Sequence, residues 1–261
     1  MNKIFFVKRK ALTILACAVA AATMFAAVNS PAIVGAAATN RQLPIYRVQR
    51  DQKMVSLSFD AAWGNEDTEE LIKILGKHDI KATFFVVGEW VDKYPESVKA
   101  LHDAGHEVMN HSDDHAHFTK LSKQEMQDNI NACNDKIEAV TGVRPTLFRP
   151  PYGEYDDNVV LATRDMGMEP IQWDVDSLDW KDLSAAEITK RVTSKVQSGS
   201  IVLFHNAAKH TPEALPGIIE TLLQDGYTFV PISQLILPGV YGTDYTIDHA
   251  GQQCPTVNSE A

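Results

Sequence analysis

Between residues 54 and 232 the chain alternates short β-branched and aromatic runs with amphipathic stretches. That alternation restricts it to a mostly parallel sheet covered by helices. Residues 55–59, 82–87, 107–110, 146–149, 169–175, 200–204 and 227–232 read as strands. Residues 67–77, 95–103, 122–140, 156–166, 184–196 and 213–223 read as helices, and Ser122 with Glu125 forms a capping box at the start of the third. Asp60, His111, Arg149, the pair Asp176 and Asp179, and His205 each fall at or just past a strand's C-terminal end. A doubly wound open sheet and a closed barrel both satisfy the alternation. Two features favour the barrel. The reactive residues spread over most strand ends, which a barrel gathers on one face, and no glycine-rich phosphate loop follows the first strand. The expected fold is α/β, a distorted (β/α) barrel of about seven parallel strands.

Residues 1–38 differ in kind. Lys3, Lys8, Arg9 and Lys10 precede an unbroken run of apolar and small residues, the pattern of an export signal. The run reaches roughly 18 residues, so it reads either as a cleaved signal peptide or as an uncleaved N-terminal membrane anchor. The product is then extracellular or attached to the cell wall, touching membrane only through this segment. Residues 39–53 are expected to form a linker or an extra strand, residues 54–237 the barrel and residues 238–261 a ragged C-terminal tail. The 261-residue chain carries 24 basic and 34 acidic residues; loss of the first 38 removes four basic residues and leaves a net charge of −14. A field of that sign argues against nucleic acid or an anionic membrane surface as partner. Beyond the leader only Cys133 and Cys254 remain. Cys133 shares a helical stripe with Met126, Ile130 and Ile137, so an inert buried thiol is the expected reading, with a disulfide as the alternative.

Several segments bear chemistry. His111 and His115 stand four apart, a spacing that can grip one metal ion or can simply be two solvated surface imidazoles. Asp60 ends the alternation of Val55, Leu57 and Phe59, aiming a carboxylate at the rim as a general base or as a loop cap. Two prolines after Arg149 stiffen its loop, which suits holding a carboxylate such as Asp60. His205 can protonate a leaving amine with Asp179 orienting its ring, while Trp180 and Leu203 offer apolar surface to an acyl group or a sugar face.

Taken in order, these motifs resemble the polysaccharide deacetylase family (NodB homology, carbohydrate esterase family 4). Those are metal-dependent esterases that remove acetyl groups from chitin-like glycans and peptidoglycan. The resemblance covers residues 54–235. It implies Asp60 as base, Arg149 as the group positioning it, His205 as acid supported by Asp179, and His111 and His115 as metal ligands. The backbone near Tyr152 would serve the oxyanion, and Trp180 and Leu203 would line the acetyl pocket. The implied cofactor is a divalent metal, zinc before cobalt or manganese, and the implied partner is an N-acetylated glycan taken by a monomer. One position departs from the pattern. The family's first motif usually carries a second aspartate as third metal ligand, and here Ala61 stands there. Phe-Asp-Ala-Ala-Trp-Gly is similar to the subgroup associated with endospore formation. Either Asp60 joins the metal, with Asp113, Asp114 or His117 as further substitutes, or affinity is low, or activity is lost or altered.

Overall fold

The computed structural model describes residues 41–256. The leader, and with it the signal-or-anchor reading, lies outside them. In chain order the elements are β1 (Arg47–Val48), β2 (Met54–Ala61), α1 (Thr68–Lys77), β3 (Thr83–Val86), α2 (Gly88–Lys93), α3 (Pro95–Asp103) and β4 (Glu107–Asn110). There follow α4 (Lys123–Thr141), β5 (Leu147–Phe148), α5 (Asp157–Asp165), β6 (Glu169–Pro170), β7 (Val175–Asp176), α6 (Ala185–Thr193) and β8 (Ser200–His205). The chain closes with α7 (Thr211–Gln224), β9 (Thr228–Phe229), α8 (Ile232–Leu235), β10 (Tyr245–Ile247) and β11 (Gln252–Pro255).

Parallel pairing runs β7–β8–β2–β3–β4–β5–β6, seven strands in a curled, incomplete barrel. β8 and β2 form its longest seam, from Val55 opposite Ser200 to Asp60 opposite His205. Ile45 bridges Ile171 beyond β6, and β1 pairs antiparallel with β8 at Ser200, so this short segment links the β6 edge to β8.

A two-residue period decides what faces where. Val55, Leu57, Phe59 and Ala61 join Phe84, Val86, Val202 and Phe204 in the large core between sheet and helices. Their alternates turn into the barrel. Phe85, Met109, Leu147, Ile171 and Ile201 form a second core there, with Ser56 and Ser58 fully buried among the polar residues. Continued by two residues, that parity carries Asp60, His111, Arg149, Trp173 and His205 to the barrel's open end.

Four expectations need correcting. The predicted strand 169–175 is two strands, because the chain leaves the sheet between β6 and β7. The predicted strand 227–232 shortens to β9, with α8 beginning at Ile232. Helix α2, six residues behind β3, has no counterpart in the sequence reading. Of the linker or extra strand expected before residue 54, the strand is what forms, as β1, and the tail expected to be ragged is built into the sheet. β11 pairs with β1 and with β10, and Ile45, Val48, Tyr245 and Gln253 are buried. The Ser122–Glu125 capping box is present, and a second joins Ser184 and Glu187 on α6. Cys133 is buried on α4 and both cysteines are free thiols.

One buried titratable group sits away from the open end. His106 Nδ1 accepts the Ala82 N–H at 3.1 Å, and burial, helped by the Lys81 charge, lowers its pKa to about 4. An unfolded histidine titrates near 6.5. Between those values the unfolded chain binds a proton that the native chain refuses, so stability falls as pH drops, by up to ~3 kcal/mol. His106→Asn keeps an acceptor for Ala82 and should flatten this slope by about 1.4 kcal/mol per pH unit in denaturant titrations. An unchanged slope would contradict a neutral native imidazole.

Candidate active site

Asp60 and Arg149 form the centre. Arg149 is fully buried at the end of β5, held by stacking on Phe85, with its guanidinium carbon 4.1 Å from the ring centroid. Its Nη1 donates to Asp60 Oδ1 at 2.7 Å, and its Nη2 donates to Ser58 Oγ at 2.9 Å and to the Gln172 carbonyl at 3.2 Å. Burial alone would raise the Asp60 carboxyl, but the Arg149 charge, with His111 and His205, holds it below the usual range. Asp60 is therefore an ionised acceptor at neutral pH.

Across the seam, His205 Nδ1 donates to Asp179 Oδ1 at 2.8 Å. Asp179 Oδ2 takes the His205 N–H at 2.8 Å and the Thr211 hydroxyl at 2.7 Å. Burial would lower the His205 pKa, but the bond and charge of Asp179 outweigh it and raise it. The ring is thus poised to carry a proton on the nitrogen facing the cavity.

His111 Nδ1 donates to the Arg149 carbonyl at 2.7 Å, which leaves Nε2 as a lone pair 3.6 Å from Asp60 Oδ2. Burial keeps this ring neutral. The His115 ring centroid lies 5.1 Å from that of His111, and burial, then the neighbouring His111, lowers the His115 pKa to about 4. Two neutral imidazoles are a beginning of a metal site. They are not a complete one, since catalytic zinc normally has three protein ligands. Asp60 gives one oxygen to Arg149 and turns the other to within 3.6 Å of His111 Nε2, and Ala61 packs its methyl in the helix-side core. Asp113 pairs with Lys136, Asp114 accepts from Asn129, and His117 pairs with Glu154. Among the described residues no group of three His, Cys, Asp or Glu side chains is gathered to hold an ion. His111 and His115 stand together as expected, but the residues present do not fit a complete zinc centre, because neither Asp60, the possible third ligand, nor any of the substitutes is gathered with them into a group of three.

The open end is a cavity of about 680 Å³, lined by Asp60, His111, His115, Asp179, Leu203 and His205 and walled by Trp63, Tyr152, Trp173 and Trp180. Its loops are strained. Ser112, His115, Tyr152, Leu178, Asp182 and Ala207 all have positive φ, six of the seven such non-glycine residues described. Each costs about 1–3 kcal/mol, and such strain clusters where side chains are held for use. In the Pro150–Gly153 turn a Cβ on Gly153 would stand 2.9 Å from the Trp173 ring, so glycine lets the turn close against the cavity wall.

Sequence reasoning did not find Ser58, Thr211, Trp63, Trp173 or Asn206. Ser58 was accessible, being two residues before Asp60 on the same strand face. Thr211, the third contact of Asp179, gave no signal, because α7 brings it there from outside the strand-end pattern.

The polysaccharide deacetylase family pattern matches residues 47–171. The structure of BA3943 from Bacillus anthracis, a carbohydrate esterase family 4 pseudoenzyme, is 40% identical, covers 74% of this chain and 69% of that one, and superposes with a TM-score of 0.72. The chain belongs to the polysaccharide deacetylase family. A BA3943 mutant with restored enzymatic activity matches at 41% identity, over 74% of this chain and 71% of that one, again with a TM-score of 0.72. Among deacetylases of the family, the peptidoglycan-N-acetylmuramic acid deacetylase PdaC of Bacillus subtilis is 38% identical over 72% of this chain and 40% of its own length. The corresponding figures for PdaA of the same organism, also a peptidoglycan-N-acetylmuramic acid deacetylase, are 31%, 71% and 72%. The chain spans about half the length of several curated relatives it matches, 60% of one and 40% of another. Family deacetylases are generally metal-dependent, which makes the incomplete donor set here a local departure.

Proposed function

We propose that the chain hydrolyses the acetamide of an N-acetylated wall glycan of the peptidoglycan class, outside the cell and in spore-wall maturation. The observation that carries this reading is the presence on one cavity of an ionised carboxylate fixed by a buried arginine and an imidazole fixed by a buried aspartate. Asp60 accepts a proton from water as its oxygen attacks the acetyl carbon, and Arg149 keeps that carboxylate charged and aimed. His205 donates its proton to the departing nitrogen as the C–N bond breaks, giving acetate and an amine. Leu203, buried beneath the cavity, provides an apolar wall for the acetyl methyl.

A second reading has its own support. With two imidazoles and no third donor, and with a pseudoenzyme among the similar structures, the barrel would bind wall glycan without turning it over. Incubation with purified N-acetylated peptidoglycan separates the two. Hydrolysis predicts acetate and new primary amines in equal amounts. Protein that sediments with the polymer and releases neither supports the second reading and overturns the first.

A further inference from the structure

We infer that Thr211 is a positioning residue for the proton transfer: its hydroxyl takes up part of the Asp179 charge, so that Asp179 fixes the His205 ring yet lets it give up its proton. This rests on the reading of His205 as the acid. Thr211 is the first residue of α7 and is fully buried. Its hydroxyl donates to Asp179 Oδ2 at 2.7 Å. The Asp179 side chain is itself wholly buried, with no water to share its charge.

The donors to Asp179 divide in two. The ring Nδ1 and the backbone N–H of His205 both come from the residue that Asp179 is to orient, one to each oxygen. Thr211 comes from a separate element, and its place is fixed. The loop leading to it is tied to β2 and to the segment beyond it, through the Asn206 N–H on the Asp60 carbonyl at 3.0 Å and the Ala207 N–H on Asp67 Oδ2 at 2.8 Å. The Thr211 N–H then donates to the Ala208 carbonyl at 3.1 Å, and a proline in the first turn stiffens the start of α7. The branched Cβ leaves the hydroxyl few rotamers.

A buried carboxylate needs donors or a cation. With Thr211 in place, Asp179 stays charged beside a neutral His205 ring as well as beside a protonated one. Without that hydroxyl the state with the neutral ring suffers more, because there the carboxylate has no positive partner. The pair would then hold its proton more tightly, and an acid that holds its proton too tightly is a poor donor to a leaving nitrogen. Asp60 from β2, Asp176 from β7, and His111 and His115 after β4 also face the ring, while Asp182 and Lys209 pair with each other at the rim. A change at Thr211 replaces none of these groups.

The test is a pH titration of the His205 ring by NMR, its signal assigned by loss in His205→Ala, read beside the pH profile of acetate release. Thr211→Val keeps the branched shape and removes the O–H. It should raise the His205 pKa by at least about half a unit, roughly a threefold gain in proton affinity, and carry the alkaline limb of activity upward. The plateau rate should fall about two- to tenfold. Asp179→Asn should move pKa and limb the other way, an opposition that simple loosening of the site would not produce. Thr211→Ser keeps the hydroxyl and should titrate as the parent. Thr211→Cys, a weaker donor of similar size, should fall between parent and valine, and it carries the test if the valine chain does not fold. A His205 pKa that is unchanged or lowered in these two variants would overturn the inference. The ring titrates without turnover, so a shift in a chain that releases no acetate leaves this inference standing and sinks the proposed reaction. Acetate release with no shift does the reverse.

Discussion

His205→Ala should lower acetate release from N-acetylated peptidoglycan by about 10²–10⁴-fold in a chain that still folds, with a lowered melting temperature because buried Asp179 loses its imidazole partner. The ring sits at the edge of the cavity, about one-fifth exposed. What disappears is the proton for the leaving nitrogen, without which an amine anion would have to depart. Asp60→Asn should cost a similar factor for the opposite reason. An amide still accepts from Arg149 but cannot take a proton from water. Both variants should bind glycan as the parent does, and normal turnover in either would remove the assigned roles.

Arg149→Met should be the most damaging single change to stability, about 3–5 kcal/mol at neutral pH. Methionine fills part of the volume above Phe85 but leaves the Asp60 charge buried with no cation beside it. The pH dependence gives the sign. In the parent, Asp60 has a folded pKa below its unfolded value, so its contribution is present above about pH 4 and lost as pH falls further. With Arg149 gone, the largest opposing charge is lost, only His111 and His205 remain against burial, and the folded pKa rises. The variant then loses stability as pH climbs from about 4, and its deficit relative to the parent shrinks on acidification. Arg149→Met combined with Asp60→Asn should regain more than half the loss in denaturant titrations. A double variant as unstable as the single one would show that packing on Phe85, rather than the ion pair, sets the cost.

The amino-acid sequence disclosed the fold through periodicity. β-branched runs spaced by capped amphipathic helices lead to a parallel sheet, and the structure keeps five of the seven expected strands near their predicted places, splits the sixth and shortens the seventh. Asp60, His111, Arg149 and His205 were legible because a strand's two-residue alternation continues to its end and just past it, so each inherits an inward direction, whereas Asp179 is turned inward by the left-handed Leu178 before it. Less legible was anything set by contacts distant in sequence. β1 becomes a strand only because β11 and β8 flank it, and residues 245–255 look ragged until β1 is there to receive them. Trp63 looked like an ordinary residue in a loop. Its exposure depends on Trp90 and Asn206 fastening the backbone beneath it. The metal site was legible only in part. The His111–His115 spacing is right, but a complete site needs a third donor, and Ala61 faces the helix layer with only a methyl group to offer.

The most direct measurement is the pH dependence of acetate release by the parent chain and by Asp179→Asn. Asp60, with its carboxyl held low, should stay ionised across the acidic range, whereas His205 must be protonated to act. Activity should therefore decline on the alkaline side, through a pKa raised above 6.5 by Asp179. Replacing Asp179 by asparagine removes the charge and weakens the bond that raise it, so the decline should move to lower pH. An alkaline limb that does not shift, or activity that climbs steadily with pH in both chains, would contradict an imidazole acid working opposite a carboxylate base.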